Sequence, residues 1–139
     1  MGDSAALAVL VGLRAAWRTP SVIARGLPAL PALLAPPAAP VPGAANTARA
    51  AMAVRVAHRA IALLARARPS RWRTTCLYRS VAECVALRAY GLPARIVIGV
   101  GNGTAPATTI AHAWVECEGV RCLSTRGAAE LEMLAPTRA

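Results

Sequence analysis

The sequence predicts an α+β fold in which helices come first and a small antiparallel sheet follows. Two observations support this prediction. Up to residue 90, apolar side chains recur with helical spacing between segments that break helices, and beyond residue 90 three short β-rich runs are separated by turns. A chain of 139 residues has room for one modest domain with a real hydrophobic core.

Two helices are expected in the N-terminal half. Residues 3–17 should form a short helix, whereas the repeated prolines of residues 27–43 forbid a regular helix and predict a tether or a wrapping loop. A longer second helix is expected over residues 46–67, with Asn46 or Thr47 as its N-terminal cap.

The second helix is expected to have two different faces. Five large side chains supply its apolar surface: Met52, Val56, Ile61, Leu63 and Leu64. Three arginines share much of another face, which is most simply a solvated stripe: Arg55, Arg59 and Arg66. His58 lies toward the apolar side, and we expect it to be a packing residue.

A third helix is expected from a cap at Thr74 or Thr75 to Tyr90, with Gly91 as its C-terminal stop. Its predicted buried stripe consists of Leu77, Val81, Cys84 and Val85. Cys76 then falls in the first turn of this helix.

Beyond the third helix the sequence favours strands. Residues 94–100 (ARIVIGV) are rich in β-branched side chains, residues 101–109 predict a loop, and residues 111–119 (AHAWVECEG) predict a second strand that ends in a turn. Residues 120–124 return as a third strand, and a last helix is expected over residues 128–134.

Charge is distributed unevenly along the chain, whose formal net charge is +10. Thirteen arginines and a single acidic residue, Glu83, lie between Arg14 and Arg95, whereas four glutamates lie in the last quarter. The basic part is able to attract an anionic partner. Nucleic acid is not expected to be that partner, because there is no basic helix with base-reading side chains, no zinc-finger spacing and no aromatic stacking platform.

The N-terminal segment predicts neither export nor a membrane span. It begins with an acid, lacks a small-residue cleavage pattern and reaches Arg14 after about nine apolar positions. We therefore expect a cytoplasmic location, where reducing conditions keep the four cysteines as thiols. A zinc site would recruit Cys76, His112, Cys117 and Cys122, but these residues lack a Cys-x-x-Cys knuckle, so no metal and no cofactor are expected.

Cys76 and His112 are the candidate catalytic pair. A thiol at a helix N-terminus faces unpaired backbone N–H groups and the positive end of the helix dipole, which both stabilise thiolate over thiol. Nucleophilic catalysis also needs a base within hydrogen-bond reach, and His112 is the only histidine that follows Cys76. The alternative is a buried structural thiol, an interpretation that we keep for Cys84 and Cys117.

The residues around this pair resemble a known family. The helix start Cys-Leu-x-Arg-Ser at Cys76 is followed by a Gly-x-Pro-Ala-Arg corner, an Ile-Gly-Val strand end and, from His112, His-Ala-Trp-Val-Glu. Over residues 72–119 these motifs resemble the core of the transglutaminase-like cysteine protease superfamily. Within it, the chain is similar to the lasso-peptide leader peptidases, which are small bacterial B-type maturation proteins.

This resemblance implies a papain-like core in which the helix that carries Cys76 packs on an antiparallel sheet that carries His112. It implies cleavage of a lasso-peptide precursor, whose leader is captured by a separate leader-binding protein and whose freed core peptide passes to a lasso cyclase. Cys76 would attack the scissile carbonyl, and His112 would act first as base and then as acid toward the departing amine. The backbone N–H of Cys76 would donate to the oxyanion.

The chain departs from the family pattern at the third catalytic position. The family places an aspartate on the strand after the histidine, but the only aspartate of this chain is Asp3. Ser124 occupies about the expected place, and we expect it to accept a hydrogen bond from the imidazole. Glu116 shares a strand face with His112 but lies about 13 Å along it, and a glutamate of the predicted last helix is a further alternative.

The chain is expected to be one compact domain with two parts. Residues 1–70 supply N-terminal helices and the proline-rich connector, and residues 71–139 supply the peptidase core. We expect the first part to cover the core and to present arginines to the leader peptide or its delivery protein. Two other functions stay open: a non-catalytic subunit of the same fold that binds a peptide or partner, and another Cys-His acyltransferase of the superfamily.

Overall fold

The computed structural model describes residues 2–25, 44–102, 109–117 and 120–121. The described elements are, in order, α1 (Gly2–Ala24), α2 (Ala44–Ala67), α3 (Cys76–Ala89), β1 (Ala94–Asn102), β2 (Thr109–Cys117) and β3 (Val120–Arg121). The three strands form one antiparallel sheet in the order β1-β2-β3. The α+β class is therefore confirmed, with α3 packed on the sheet and the two long helices preceding it.

α1 is longer than the sequence predicts, because it continues through Pro20 to Ala24 instead of ending at residue 17. Proline removes one helical N–H and crowds the carbonyl four residues earlier. Here the hydroxyl of the buried Thr19 donates to the carbonyl of Ala15 at 2.9 Å, and the helix packs against both α2 and α3. Tertiary packing thus keeps the chain helical across a residue that usually ends a helix.

Residues 5–24 of α1 are long and apolar enough to cross a membrane, judged by length and composition only. Core helices and N-terminal signal sequences pass the same test, so a single such segment is weak evidence for a membrane span. In this structure 33% of the segment is buried inside the protein, including Ala15 and Ala16. One face of α1 is therefore a packing face within the fold.

α1 and α2 approach each other closely because their facing residues are small. A Cβ atom on Gly12 would lie 2.4 Å from the backbone oxygen of Ala53 and 2.8 Å from the Cβ of Val56. The buried face of α2 consists of Ala50, Ala53, Val54, Ala57 and Ile61. Leu63, one of the five side chains expected to supply apolar surface, is 64% exposed, and the alanine face brings the helices together instead. The arginine stripe of α2 is exposed, as predicted.

α3 is the central helix of the fold, since it contacts α1, α2, β1 and β2. Its N-cap is Thr75, whose hydroxyl accepts a hydrogen bond from the N–H of Tyr78 at 3.4 Å. The helix ends at Ala89, and Gly91 follows with a φ of +77°, a left-handed conformation that glycine adopts without steric cost. Its buried side chains are Ser80, Val81, Ala82, Glu83, Cys84, Ala86 and Leu87. The predicted limits are confirmed, but burial extends round most of the helix rather than along one stripe.

β1 and β2 form the main hairpin of the sheet, with Ala94 opposite Cys117 and Gly99 opposite His112. β1 ends two residues later than predicted, at Asn102, and β2 begins two residues earlier, at Thr109. The hairpin positions that belong to the core are Ala94, Ile96, Ala113 and Val115. Of the predicted third strand the structure describes Val120–Arg121, and the predicted last helix lies outside the described residues.

Candidate active site

Cys76 is the first residue of α3 and lies directly after the N-cap Thr75. At this position the backbone N–H groups of the first turn have no helical partner, and the positive end of the helix dipole stabilises a nearby anion. The side chain is half-buried against the core and forms no disulfide with the other described cysteines. Both properties suit a nucleophilic thiolate, which needs electrostatic support together with access to a substrate.

Two hydrogen bonds define the direction in which α3 runs across the sheet. Near the C-terminal end of the helix, Nε of Arg88 donates to the carbonyl of Ala94 at 2.7 Å. In the N-terminal half, the hydroxyl of the buried Ser80 donates to the carbonyl of Ala113 at 2.9 Å. Ala94 pairs with Cys117, the last residue of β2, whereas Ala113 lies in the middle of β2. α3 therefore runs along β2 from the middle of this strand toward its C-terminal end.

This direction brings the N-terminal turn of α3 to the part of β2 that carries His112. Cys76 precedes Ser80 by four residues, which is about 6 Å along the helix axis. Ser80 in turn bonds the backbone of Ala113, the residue next to His112. The two candidate residues thus lie on elements in direct contact, and Cys76 is one helical turn from the hydrogen bond that joins those elements.

The imidazole of His112 is half-buried beside the indole of Trp114. The ring centroids are 6.2 Å apart and the ring planes differ by 22°, an offset stacked arrangement. Nε2 of His112 is buried, and the described residues offer it no hydrogen-bond partner. A buried ring nitrogen without a partner is costly in a purely structural site, so this atom is a candidate for contact with a substrate or a further residue.

Trp114 is fully buried and is held from two sides. Its indole N–H donates to Oε1 of Glu116 at 3.0 Å, and Oε2 of the same carboxylate accepts from Arg95 at 3.0 Å. On the neighbouring strand, a Cβ atom at Gly99 would lie 2.8 Å from two atoms of the indole, so glycine is what leaves room for this ring. Arg95, Glu116 and Trp114 therefore form a fixed support beside His112.

The described residues do not assign the third catalytic position. Ser124 lies outside them, as do the glutamates of the predicted last helix. Glu116 engages both carboxylate oxygens, one with Trp114 and one with Arg95. Its role in the described structure is to bind these two side chains, and Ser124 stays a prediction.

Cys84 lies on the same helix as Cys76 but in a different environment. Burial raises the pKa of the Cys84 thiol to about 12, although the charge of the nearby Arg88 opposes this shift. The thiol donates to the carbonyl of Ala94 at 3.5 Å. Near neutral pH Cys84 is therefore protonated and unreactive, which agrees with its expected structural role.

His58, the other histidine of the chain, lies between α2 and α3. Its Nε2 is 3.4 Å from the carbonyl oxygen of Arg79 and 3.6 Å from Oε2 of the fully buried Glu83. Burial lowers the pKa of His58 and outweighs the hydrogen bond to the Arg79 carbonyl, which raises it. A neutral imidazole that donates to a helix carbonyl fits the packing role that the sequence predicts.

Ser80 and Gly99 belong to the Cys-Leu-x-Arg-Ser and Ile-Gly-Val motifs, but the sequence assigned neither residue a role. The role of Ser80 depends on which strand lies beside the helix, and that is not visible in the local sequence. A glycine inside a strand does carry a signal, because it often marks the close approach of another group. The group in question, the indole of Trp114, is known only once the strand register is known.

Comparison with known proteins identifies a family. A family model described as the transglutaminase-like superfamily matches residues 7–136. No curated protein and no solved structure gives a significant match. The superfamily generally contains cysteine-dependent enzymes. Because the match covers nearly all of its 139 residues, the chain belongs to the transglutaminase-like superfamily.

Proposed function

We propose that this protein is a cysteine endopeptidase that cleaves the leader peptide from a lasso-peptide precursor. The observation that carries the proposal is the position of Cys76 at the N-terminus of α3, a helix bonded to the strand that bears His112. Membership of the superfamily supports cysteine-dependent acyl chemistry. The CLYRS and HAWVE motifs resemble those of the lasso-peptide leader peptidases, and this resemblance favours leader cleavage among the reactions of the superfamily.

In the first half of the proposed reaction, the thiolate of Cys76 attacks the scissile carbonyl carbon and forms a tetrahedral oxyanion. The backbone N–H of Cys76 donates to this oxyanion. When the C–N bond breaks, His112 transfers the proton it took from the thiol to the leaving amine. The core peptide departs with a free amino group, and the leader remains bound to Cys76 as a thioester.

In the second half, water resolves the thioester. His112 accepts a proton from the attacking water, the C–S bond breaks, and the leader is released as a carboxylic acid while the thiol regains a proton. The stacked Trp114 limits the movement of the imidazole between its two roles. Ser124 is proposed to accept a hydrogen bond from the imidazole N–H of His112. Because a neutral hydroxyl stabilises imidazolium less than a carboxylate does, we expect a lower cleavage rate than with aspartate at this position.

The proposed reaction takes place in the cytoplasm and involves two partner proteins. A leader-binding protein presents the precursor, and a lasso cyclase then joins the freed amino group to a side-chain carboxylate of the core peptide. The cleavage uses only the thiol, the imidazole and water, so the proposed mechanism includes no metal and no cofactor.

The test is a cleavage assay with a lasso precursor and its leader-binding protein, followed by mass spectrometry. We expect cleavage at one bond that is lost in C76A and in H112A and retained in C117A. Cys117 is the matched control because it is also a half-buried cysteine packed against the core. Binding of the precursor without cleavage by the unmodified protein would instead identify a non-catalytic subunit.

The same assay in water enriched in heavy oxygen separates hydrolysis from acyl transfer. A peptidase places one heavy oxygen atom in the new carboxyl group of the leader, because water resolves the thioester. If an added primary amine is joined to the leader in place of water, the protein is an amide-forming acyltransferase and the peptidase proposal is wrong.

A further inference from the structure

A groove of about 620 Å³ lies between α1 and α2, outside the proposed catalytic site. Its apolar wall consists of Leu10, Leu13, Trp17, Ala60, Leu63 and Leu64. Leu10 and Leu63 are 63% and 64% exposed, and Trp17 is 56% exposed. Contiguous exposed apolar surface of this kind marks a place where another molecule binds.

α1 carries two apolar faces, and only one of them is covered by the described part of the protein. The covered face is made of small side chains such as Ala15 and Ala16, which pack in the core. The other face carries Leu10, Leu13 and Trp17, whose spacing of three and four residues forms one stripe along the helix. The described residues leave this second stripe uncovered.

Positive charge borders the groove. Arg14 lines it directly. On α2, the exposed Arg59 and Arg66 lie four residues before and three residues after Leu63, so they flank its side chain on the helix surface. Residues 4–82 contain no acidic side chain at all. An occupant of the groove therefore gains from carboxylates at its edges.

Charge and shape together select the kind of occupant. A second copy of this chain is disfavoured, because it would bring the same arginines face to face. An anionic lipid surface has the right charge, but a membrane-bound amphipathic helix presents one continuous apolar face, whereas here the apolar side chains are divided between two helices that enclose a groove. An amphipathic helix fits, since its apolar side chains at i, i+3, i+4 and i+7 fill a groove of this kind.

We propose that the groove between α1 and α2 binds an acidic amphipathic helix of a partner protein. Apolar side chains of that helix contact Leu10, Trp17 and Leu63, and its carboxylates pair with Arg14 and Arg59. The proposal does not depend on the peptidase activity, because binding is measurable whether or not catalysis occurs.

Trp17 also connects this groove to the segment that precedes Cys76. The guanidinium of Arg71 lies 5.6 Å from the ring centroid of Trp17 and 4.9 Å from that of Trp72, and the two indoles are 5.4 Å apart. Trp72 is buried and precedes Cys76 by four residues. A helix that packs on Trp17 therefore contacts the aromatic cluster from which the chain enters α3.

The probe for this proposal is a synthetic helix of about 18 residues, roughly 27 Å long, with leucines at i, i+3, i+4 and i+7 and glutamates elsewhere. A peptide of the same composition in scrambled order tests the pattern, and one with lysine in place of glutamate tests the charge. Trp17 reports binding, because it is half-exposed while Trp72 and Trp114 are buried. We expect its emission to shift to shorter wavelength with the glutamate helix only.

Variants of exposed residues locate the binding surface without disturbing the fold. L10S and L63S should each weaken binding of the glutamate helix by about tenfold. The matched control is I98S, which removes a side chain that is 46% exposed on β1 and should leave the affinity unchanged. R59Q should weaken binding and reduce its salt dependence, whereas R73Q, also at an exposed arginine, should do neither.

Four results would overturn the proposal. Equal affinity for the glutamate and lysine helices would show that the arginines do not select an acidic partner. Unchanged affinity in L10S and L63S would show that the peptide does not bind in this groove. If vesicles of phosphatidylglycerol and phosphatidylcholine bind through Leu10 and Leu63 while the peptide does not, the surface contacts a membrane. If the protein forms a concentration-dependent dimer that L63S abolishes, the occupant is a second copy.

Discussion

Replacing Gly99 with alanine tests the packing that supports His112. The added Cβ would lie 2.8 Å from Cη2 and Cζ3 of Trp114. Two carbon atoms in contact prefer about 3.5–4.0 Å, so the indole must move by about 0.7–1.2 Å. The ring resists this movement, because it is fully buried and its N–H is bonded to Glu116 at 3.0 Å. We expect a loss of about 1–3 kcal/mol in the free energy of unfolding, which is typical of an extra methyl group in a filled core.

For a chain of 139 residues, this loss lowers the melting temperature by about 3–10 °C, measured by circular dichroism. The control is W114F, which lacks the indole atoms that the new Cβ meets. In that background G99A should cost at least about 1 kcal/mol less, because the two residues are in contact and their effects do not add. An unchanged melting temperature in G99A, or the same loss in both backgrounds, would refute the proposed packing of Trp114 on Gly99.

The structure also makes three shorter predictions. G12A places a Cβ 2.4 Å from the backbone oxygen of Ala53 and should cost about 1–3 kcal/mol in urea unfolding, so an unchanged midpoint would contradict the close packing of α1 on α2. S80A removes the 2.9 Å hydrogen bond to Ala113 and should cost about 1–3 kcal/mol, whereas equal stability would mean that this bond does not hold α3 on β2. Because burial lowers the pKa of His58, its neutral form contributes stability that is present above the unfolded-state value near 6.5 and is lost as pH falls through the folded-state value. Acidification below about pH 6.5 should therefore lower the unfolding midpoint, and less so in H58Q; an identical pH dependence in H58Q would exclude this histidine as the cause.

Local signals explain why α3 was predicted well. Thr75 offers a side-chain acceptor at the start of the helix, and Gly91 adopts the left-handed conformation that ends it. Both effects act within one turn, so they are visible in the sequence. The strands were predicted for a similar reason, since their β-branched runs are bounded by turn residues.

Packing between distant segments explains what the sequence did not predict. In α2 the apolar surface was predicted from large side chains such as Leu63, but the buried face is built mainly from alanines that allow close contact with Gly12 of α1. Predictions from apolar periodicity rely mainly on the large residues to locate the buried face of a helix. In an alanine-rich helix the buried face can consist of small residues instead. The extension of α1 through Pro20 has the same origin, because contacts with α2 and α3 outweigh a local preference.

In the candidate site, too, the local features were predicted from the sequence and the contacts between distant segments were not. Cys76 and His112 were identified from a helix start, from the single histidine that follows Cys76 and from motifs that resemble a known family, all of which are visible in the sequence. The bond from Ser80 to Ala113 depends on how α3 lies on β2, and no sequence pattern encodes that arrangement. The role of Ser124 requires the position of residues beyond those described, and it stays a prediction.

Activation of Cys76 by His112 can be measured as the rate at which iodoacetamide alkylates each cysteine at about pH 6, where an ordinary thiol is almost fully protonated. We expect Cys76 to react first, Cys84 to stay unmodified in the folded protein, and H112A to slow alkylation of Cys76 by about tenfold or more. Equal slow labelling of all cysteines, together with an unchanged rate for Cys76 in H112A, would show that His112 does not activate this thiol.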